Sequence, residues 1–123
     1  MSKPFVNVAY LEDEDFDEQG NLTVKPPYVV CMIFGNYCGH CIHAKPEFQK
    51  FANVKIPGVD VACIQTDGQA SEQALANRLN KVLKGTPFRG VPMFIALKDG
   101  TFYAEHKGPR TAEALLEFVS RFN

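Results

Sequence analysis

Tyr28-Val29-Val30-Cys31-Met32-Ile33-Phe34-Gly35-Asn36-Tyr37-Cys38-Gly39-His40-Cys41 is the stretch whose reading decides the fold. Its first half is a near-continuous apolar run closed by Gly35, the pattern of a central strand buried on both faces of a sheet. From Gly39 to about Asn53 the pattern turns helical, with Ile42, Lys45, Phe48 and Phe51/Ala52 at three- and four-residue spacing and Pro46 placed to kink the helix. A Cys-x-x-Cys pair therefore stands where a buried strand gives way to a helix, and that context makes a common spacing informative. Free N–H groups and the dipole at a helix start favour thiolate over thiol, so Cys38 is the expected exposed nucleophile. Cys41, one turn inside, is placed to attack the resulting mixed disulfide and release the substrate. Gly39 keeps the turn small, and His40 can add positive charge beside the thiolate.

Working outward, Phe5 to Tyr10 reads as a first strand, and Gly58 opens a second apolar run from Val59 to Ile64. Ser71 to Leu83 reads as one helix capped by Ser71, with an apolar stripe of Ala74, Leu75, Leu79, Val82 and Leu83, ended by Gly85-Thr86-Pro87. Val91 to Leu97 is a third strong strand. Asp99-Gly100 is a hairpin turn, and Thr101 to Glu105 should pair back antiparallel. Thr111 caps a last helix with Leu115, Leu116, Val119 and Phe122 inward and Glu113 and Glu117 outward. Parallel neighbours need helical crossovers, so this order implies an α/β fold: a central mixed sheet with helices on both faces.

At 123 residues and 46% hydrophobic, the chain has material for one domain, 1–123, in which 10–27 form an acidic elaborated loop before the core. Glu12 to Glu18 holds six acids in seven positions and reads as a solvated loop. The Asp13, Asp15, Asp17 spacing is that of a calcium loop, but Glu18 stands where the turn glycine belongs and Val24 where the bidentate Glu belongs. A net charge of −1 offers neither phosphate neutralisation nor a polybasic patch, so no nucleic-acid or membrane partner is expected. Met1-Ser2-Lys3-Pro4 leads into no signal-peptide h-region and no retention tetrapeptide ends the chain, from which a reducing, cytoplasmic location is expected. In such a compartment a cysteine pair is catalytic or metal-binding rather than structural. A zinc site built on Cys38, Cys41 and His43, with or without His40, lacks a second close cysteine pair to complete it. Cys31 and Cys63 lie inside apolar strands, where such residues are inert. The expectation is no metal, and no cofactor beyond a redox-active Cys38–Cys41 disulfide.

At these residues the chain resembles the thioredoxin superfamily, and specifically the catalytic domains of protein disulfide isomerases, whose motif is Cys-Gly-His-Cys. Phe34-Gly35-Asn36-Tyr37 resembles the family's approach to the motif, with Tyr37 in place of the usual Trp, and Lys45-Pro46-Glu47-Phe48 its kinked helix. Arg89-Gly90-Val91-Pro92-Met93-Phe94 resembles the loop that holds the family's cis-proline. The resemblance implies the thioredoxin fold, a cis Val91–Pro92 bond facing the cysteines, and a Val91 backbone that pairs with an extended substrate segment. Tyr37, Gly39, Val91 and Pro92 are then the substrate-binding set. Lys107-Gly108-Pro109-Arg110-Thr111 is similar to the approach to the family's last helix, which makes Arg110 the candidate that swings in to lower the second cysteine's pKa.

The chain departs from that pattern in two places. Met32 occupies the position, six residues before the first cysteine, of the family's buried acid, and Gln65 that of the lysine paired with it. Losing both avoids an unpaired buried charge, but leaves the resolving step to Arg110, His40, water or a substrate group. Asp67 to Phe88 is also longer than the family's equivalent, and Thr86-Pro87-Phe88 is expected to add rim beside the site. The likeness covers about Tyr28 to Asn123. It implies an enzyme exchanging disulfides with protein or peptide substrates and recycled by a redox partner, whether a reductase, glutathione or an oxidase. His40 between the cysteines leans toward oxidase or isomerase work, whereas the lack of a signal sequence leans toward a thioredoxin-like reductase. A catalytically weak binding module of the same fold is the remaining alternative.

Overall fold

The structure is a computed structural model that describes residues 5–36 and 38–122. Five strands, β1 (Ala9–Tyr10), β2 (Tyr28–Phe34), β3 (Val59–Gln65), β4 (Met93–Lys98) and β5 (Thr101–His106), form one sheet in the order β1-β3-β2-β4-β5. β2 runs parallel to β3, with Met32 opposite Cys63, and antiparallel to β4, with Met32 opposite Phe94. The helices are α1 (Gly39–Asn53), α2 (Ala70–Ala76), α3 (Leu79–Val82) and α4 (Ala112–Ser120). This is the mixed, two-sided architecture read from the sequence.

Because strand side chains alternate between faces, β2 serves two cores at once. Val29, Cys31 and Ile33 pack with Ile64, Leu75, Leu79, Val82, Leu83 and Ile95 on the α2/α3 side. Val30, Met32 and Phe34 pack with Cys41, Phe48, Phe51, Phe94 and Leu115 on the α1/α4 side. Cys31 and Cys63 thus sit on adjacent strands but in opposite cores, both unbridged and buried. In the hairpin turn Asp99 and Gly100 have φ of 52° and 85°, the left-handed pair that a tight two-residue turn requires. Thr111 caps α4 as expected, its Oγ1 accepting the Ala114 N–H at 3.1 Å.

Several sequence expectations are corrected. The first strand is not Phe5 to Tyr10: only Ala9–Tyr10 pair, because Asn7 adopts φ 61° and turns the chain so that Phe5 packs edge-on against Phe34 and Phe48. β4 begins at Met93 rather than Val91, since Pro92 has no N–H to give the ladder. The single helix over Ser71 to Leu83 is two, α2 and α3, broken at Asn77 and Arg78. Its cap is Gln69, in a capping box with Glu72, while the Ser71 hydroxyl donates to Glu12 Oε1 at 2.6 Å.

That break serves the acidic segment, which is not merely a solvated loop. Arg78 sends its guanidinium into it, with Nε 2.8 Å from Asp13 Oδ1 and further donations to the carbonyls of Asp13, Phe16 and Asp17. A short 3-10 turn at Asp13–Asp15 and an antiparallel bridge between Phe16 and Leu22 then place both of those side chains in the α2/α3 core. Gly20 lies so close to α3 that a Cβ there would come within 2.5 Å of the Lys81 backbone. The segment is padding for one face of the sheet.

Candidate functional site

The site forms where β2 ends and α1 begins. Cys38 is the N-cap of α1, in extended backbone conformation, and its Sγ accepts the Cys41 N–H at 3.3 Å. On its other side the Cys38 thiol donates to the Val91 carbonyl at 3.4 Å, so the loop before β4 touches the outer sulfur directly. The Val91–Pro92 peptide bond in that loop is cis. Cys38 is partly exposed and Cys41 fully buried, and neither is bridged. One sulfur is presented and the other is held one turn beneath it.

The inward stripe of α1 keeps the expected Phe48, Phe51 and Ala52 but differs from the sequence reading in its first turns. Cys41, Ala44, Phe48, Phe51 and Ala52 face the core, and Ile42 is exposed. Cys41 is thereby a core residue, clustered with Met32, Phe34, Phe48 and Phe94. Burial pushes its thiol up to about 11. The hydrogen bond with Cys38 adds to the rise, while the Gly35 backbone and the Lys45 ammonium offset part of it. Met32 is wholly buried in this cluster, so the β2 side offers Cys41 a thioether and no proton acceptor.

Of the other sequence candidates, His40 lies exposed on the first turn of α1. Gly39 is exposed as well; a Cβ there would meet nothing within 4 Å, so the chain's own packing does not demand a glycine. Arg110 is exposed and shares with Val91 and Pro92 a cleft of about 290 Å³, also lined by Arg89, Glu105 and Lys107. Among the described residues its side chain makes no ion pair or hydrogen bond. Tyr37 lies outside the described residues. No group of three or more His, Cys, Asp or Glu among the described residues is placed to hold a metal ion, and no helix among them is long and apolar enough to cross a membrane.

The loop approaching Cys38 has supports that motif reading missed. Asn36 donates its N–H to Asp67 Oδ1 at 2.9 Å, and the Gln65 amide reaches the same oxygen at 3.4 Å. Lys45 Nζ donates to Asn36 Oδ1 at 3.4 Å. Gln65, read only as a lost lysine, thus helps hold the carboxylate that pins the loop. Only the packing of the β3 end against the β2 end brings these residues together.

A doubly covered mixed sheet with a Cys-x-x-Cys pair at the first turn of its central helix, and a proline loop against the outer sulfur, defines a thioredoxin-type, thiol–disulfide oxidoreductase-like domain. The chain belongs to the thioredoxin family, whose model, described as Thioredoxin, matches residues 7–121. It is 36% identical over 107 residues to a protein of Invertebrate iridescent virus 6 described as "Putative thioredoxin-like protein 453L", covering 76% of this chain and 77% of that one. It is 28% identical to protein disulfide-isomerase A3 of Gallus gallus, covering 94% of this chain but only 20% of the relative. The chain therefore spans about a fifth of that isomerase. Among solved structures it is similar to thioredoxin F from spinach chloroplast, with TM-score 0.66 and 22% identity over 98% of this chain and 96% of that one. It is likewise similar to human ERp44, with TM-score 0.72 and 17% identity over 98% of this chain and 30% of that one. At those identities the two structures speak for the fold.

Proposed function

We propose that the chain exchanges disulfides with protein substrates through Cys38 and Cys41, with a lean toward oxidase or isomerase work. The observation that carries the reading is the division of labour between the two sulfurs. Cys38 is partly exposed at the helix N-cap, against the Val91 carbonyl, and Cys41 is buried one turn below it. In the reducing direction Cys38 attacks a substrate disulfide and one substrate thiolate leaves. Cys41 then loses its proton and attacks Cys38 Sγ, closing the intramolecular disulfide as the second thiolate departs. Val91 and Pro92, with Tyr37 and Gly39, would position the substrate, and Arg110 would approach the cysteines from the cleft it shares with Val91 and Pro92. His40 supports the oxidising lean because a histidine between the cysteines is the mark of the family's oxidising members.

Replacing Cys38 with Ser should abolish insulin reduction, and replacing Cys41 with Ser should trap a mixed disulfide. Unchanged turnover in the Cys38 variant would sink the reading. A glutathione redox titration decides the direction: a midpoint near about −180 mV supports the isomerase lean, and one near about −270 mV a thioredoxin-like reductase recycled by its own reductase. The burial of Cys41 among apolar groups, with Met32 where a proton acceptor would stand, favours a second reading, a catalytically weak module that keeps the fold to bind a partner without exchanging disulfides. A Cys38/Cys41 double variant that keeps all biological function would favour that alternative.

A further inference from the structure

Lys45 is the charged side chain of α1 nearest in sequence after Cys41, and the exchange scheme leaves it without a task. It stands four residues beyond Cys41, and residues so spaced are neighbours on one helix face. Half buried, it leans back over the end of β2: Nζ lies 5.0 Å from the Phe34 ring centroid and 3.4 Å from Asn36 Oδ1. An ammonium held against an aromatic face and an amide oxygen is fixed in place rather than waving in solvent.

The surroundings of Cys41 make that placement matter. β2 contributes Met32 and Phe34, β4 contributes Phe94, and α1 contributes Ala44 and Phe48, none of which titrates. The titratable groups of this cluster and its rim include Cys38, Cys63, Tyr10 and Lys45, with His106 against the Phe94 ring, Glu47 bonded to Ala112, Asp67 beyond Asn36 and His40 on the exposed side of the first turn. Lys45 is a cation one helical turn beyond the buried sulfur, its ammonium held against Phe34, which packs in the same cluster as Cys41.

We propose that Lys45 is the positioning residue of the resolving step, its ammonium stabilising the Cys41 thiolate as that sulfur attacks the mixed disulfide. The Cys41 proton goes to water, the Cys41–Cys38 bond forms, the bond between Cys38 and the substrate sulfur breaks, and the substrate leaves as a thiolate. Lys45 keeps its proton throughout. The pull of Lys45 on Cys41 is in the required direction, downward against burial. The proposal rests on the reading of Cys38 and Cys41 as an exchanging pair.

Mixing the reduced protein with dithionitrobenzoate separates the two steps. One nitrothiolate leaves when Cys38 attacks the reagent, and a second leaves, at a rate independent of reagent concentration, when Cys41 resolves. In Lys45→Met the first phase should match the parent protein, while the second slows by about threefold to tenfold near neutral pH and its rise moves to higher pH. Lys45→Arg, which keeps the charge, should resolve nearly as fast as the parent. A methionine variant that resolves like the parent at every pH overturns the proposal, and so does an arginine variant as slow as the methionine one. A parent protein that releases only one nitrothiolate overturns the pair reading itself, and this proposal with it.

Discussion

Cys41 carries a pH signature. Its thiol is raised from 9.0 to about 11, so the folded chain keeps a proton that the unfolded chain releases at lower pH. A folded-state value above the unfolded one stabilises the reduced protein fully below about pH 9, and the contribution is lost as pH rises toward 11. Denaturant titrations of the reduced protein should show that loss, at most roughly 2–3 kcal/mol from Cys41, and the Cys41→Ser variant should show a smaller loss, that from the buried Cys31 thiol and Tyr10 remaining. An equal loss in the two proteins would mean that Cys41 ionises as it does in an open chain. Gly39 offers a second test at the same scale. Since a Cβ there meets nothing and α1 has already begun, Gly39→Ala should leave stability equal or raise it by about 0.5 kcal/mol. If the glycine serves the approach of a substrate backbone, the same variant should turn over insulin disulfides more slowly.

Among the elements, the acidic segment and α2/α3 depend on one clamp. Arg78→Ala removes an ion pair and three donations to backbone carbonyls, and should cost about 2 kcal/mol in chemical unfolding. Arg78→Lys should recover only part of this, because a lysine cannot fork. Amide exchange should speed up over residues 12–22 in both variants. Equal protection there in Arg78→Ala would show that Phe16 and Leu22 hold the segment without help. The elements legible in the sequence are those whose own period declares them: β2 and β3 as apolar runs, α1 from its start at the cysteines, the hairpin from Asp99-Gly100, and α4 from Thr111. What was not legible depends on partners distant in sequence. Arg78 breaks a helical pattern to reach Asp13, Phe16 and Leu22 look like loop residues until a sheet face covers them, and Asn7 ends a strand that composition alone would extend. On α1 the expected Phe48, Phe51 and Ala52 do face the core, while in the first turns Cys41 and Ala44 are buried in place of the expected Ile42 and Lys45. Cys38 and Cys41 could be found from the sequence because their chemistry is local to one turn, and Asp67 could not because it arrives from the loop that follows β3.

For the molecule as a whole, the redox direction is also a statement about folding. An oxidising pair is one whose reduced form is the more stable, with about 30 mV corresponding to roughly 1.4 kcal/mol for two electrons. If the oxidase or isomerase lean holds, the reduced protein should unfold at a higher temperature than the oxidised one when both are scanned near neutral pH. The opposite order would place the chain with the reductases. Either order can be read on this domain directly, without the additional length of the isomerases to which it is similar.

One feature of α1 gives that relation a further reach. Because the stripe that packs against Phe94 and Met32 includes Cys41 itself, the resolving sulfur is part of the hydrophobic interior rather than an attachment to it. Closing the disulfide therefore bonds a partly exposed sulfur to one that the interior already holds. A shaved side chain at Phe48 or Phe94 will accordingly register on an electrode as well as in a calorimeter, and the midpoint potential becomes a gauge of how tightly this half of the protein is packed.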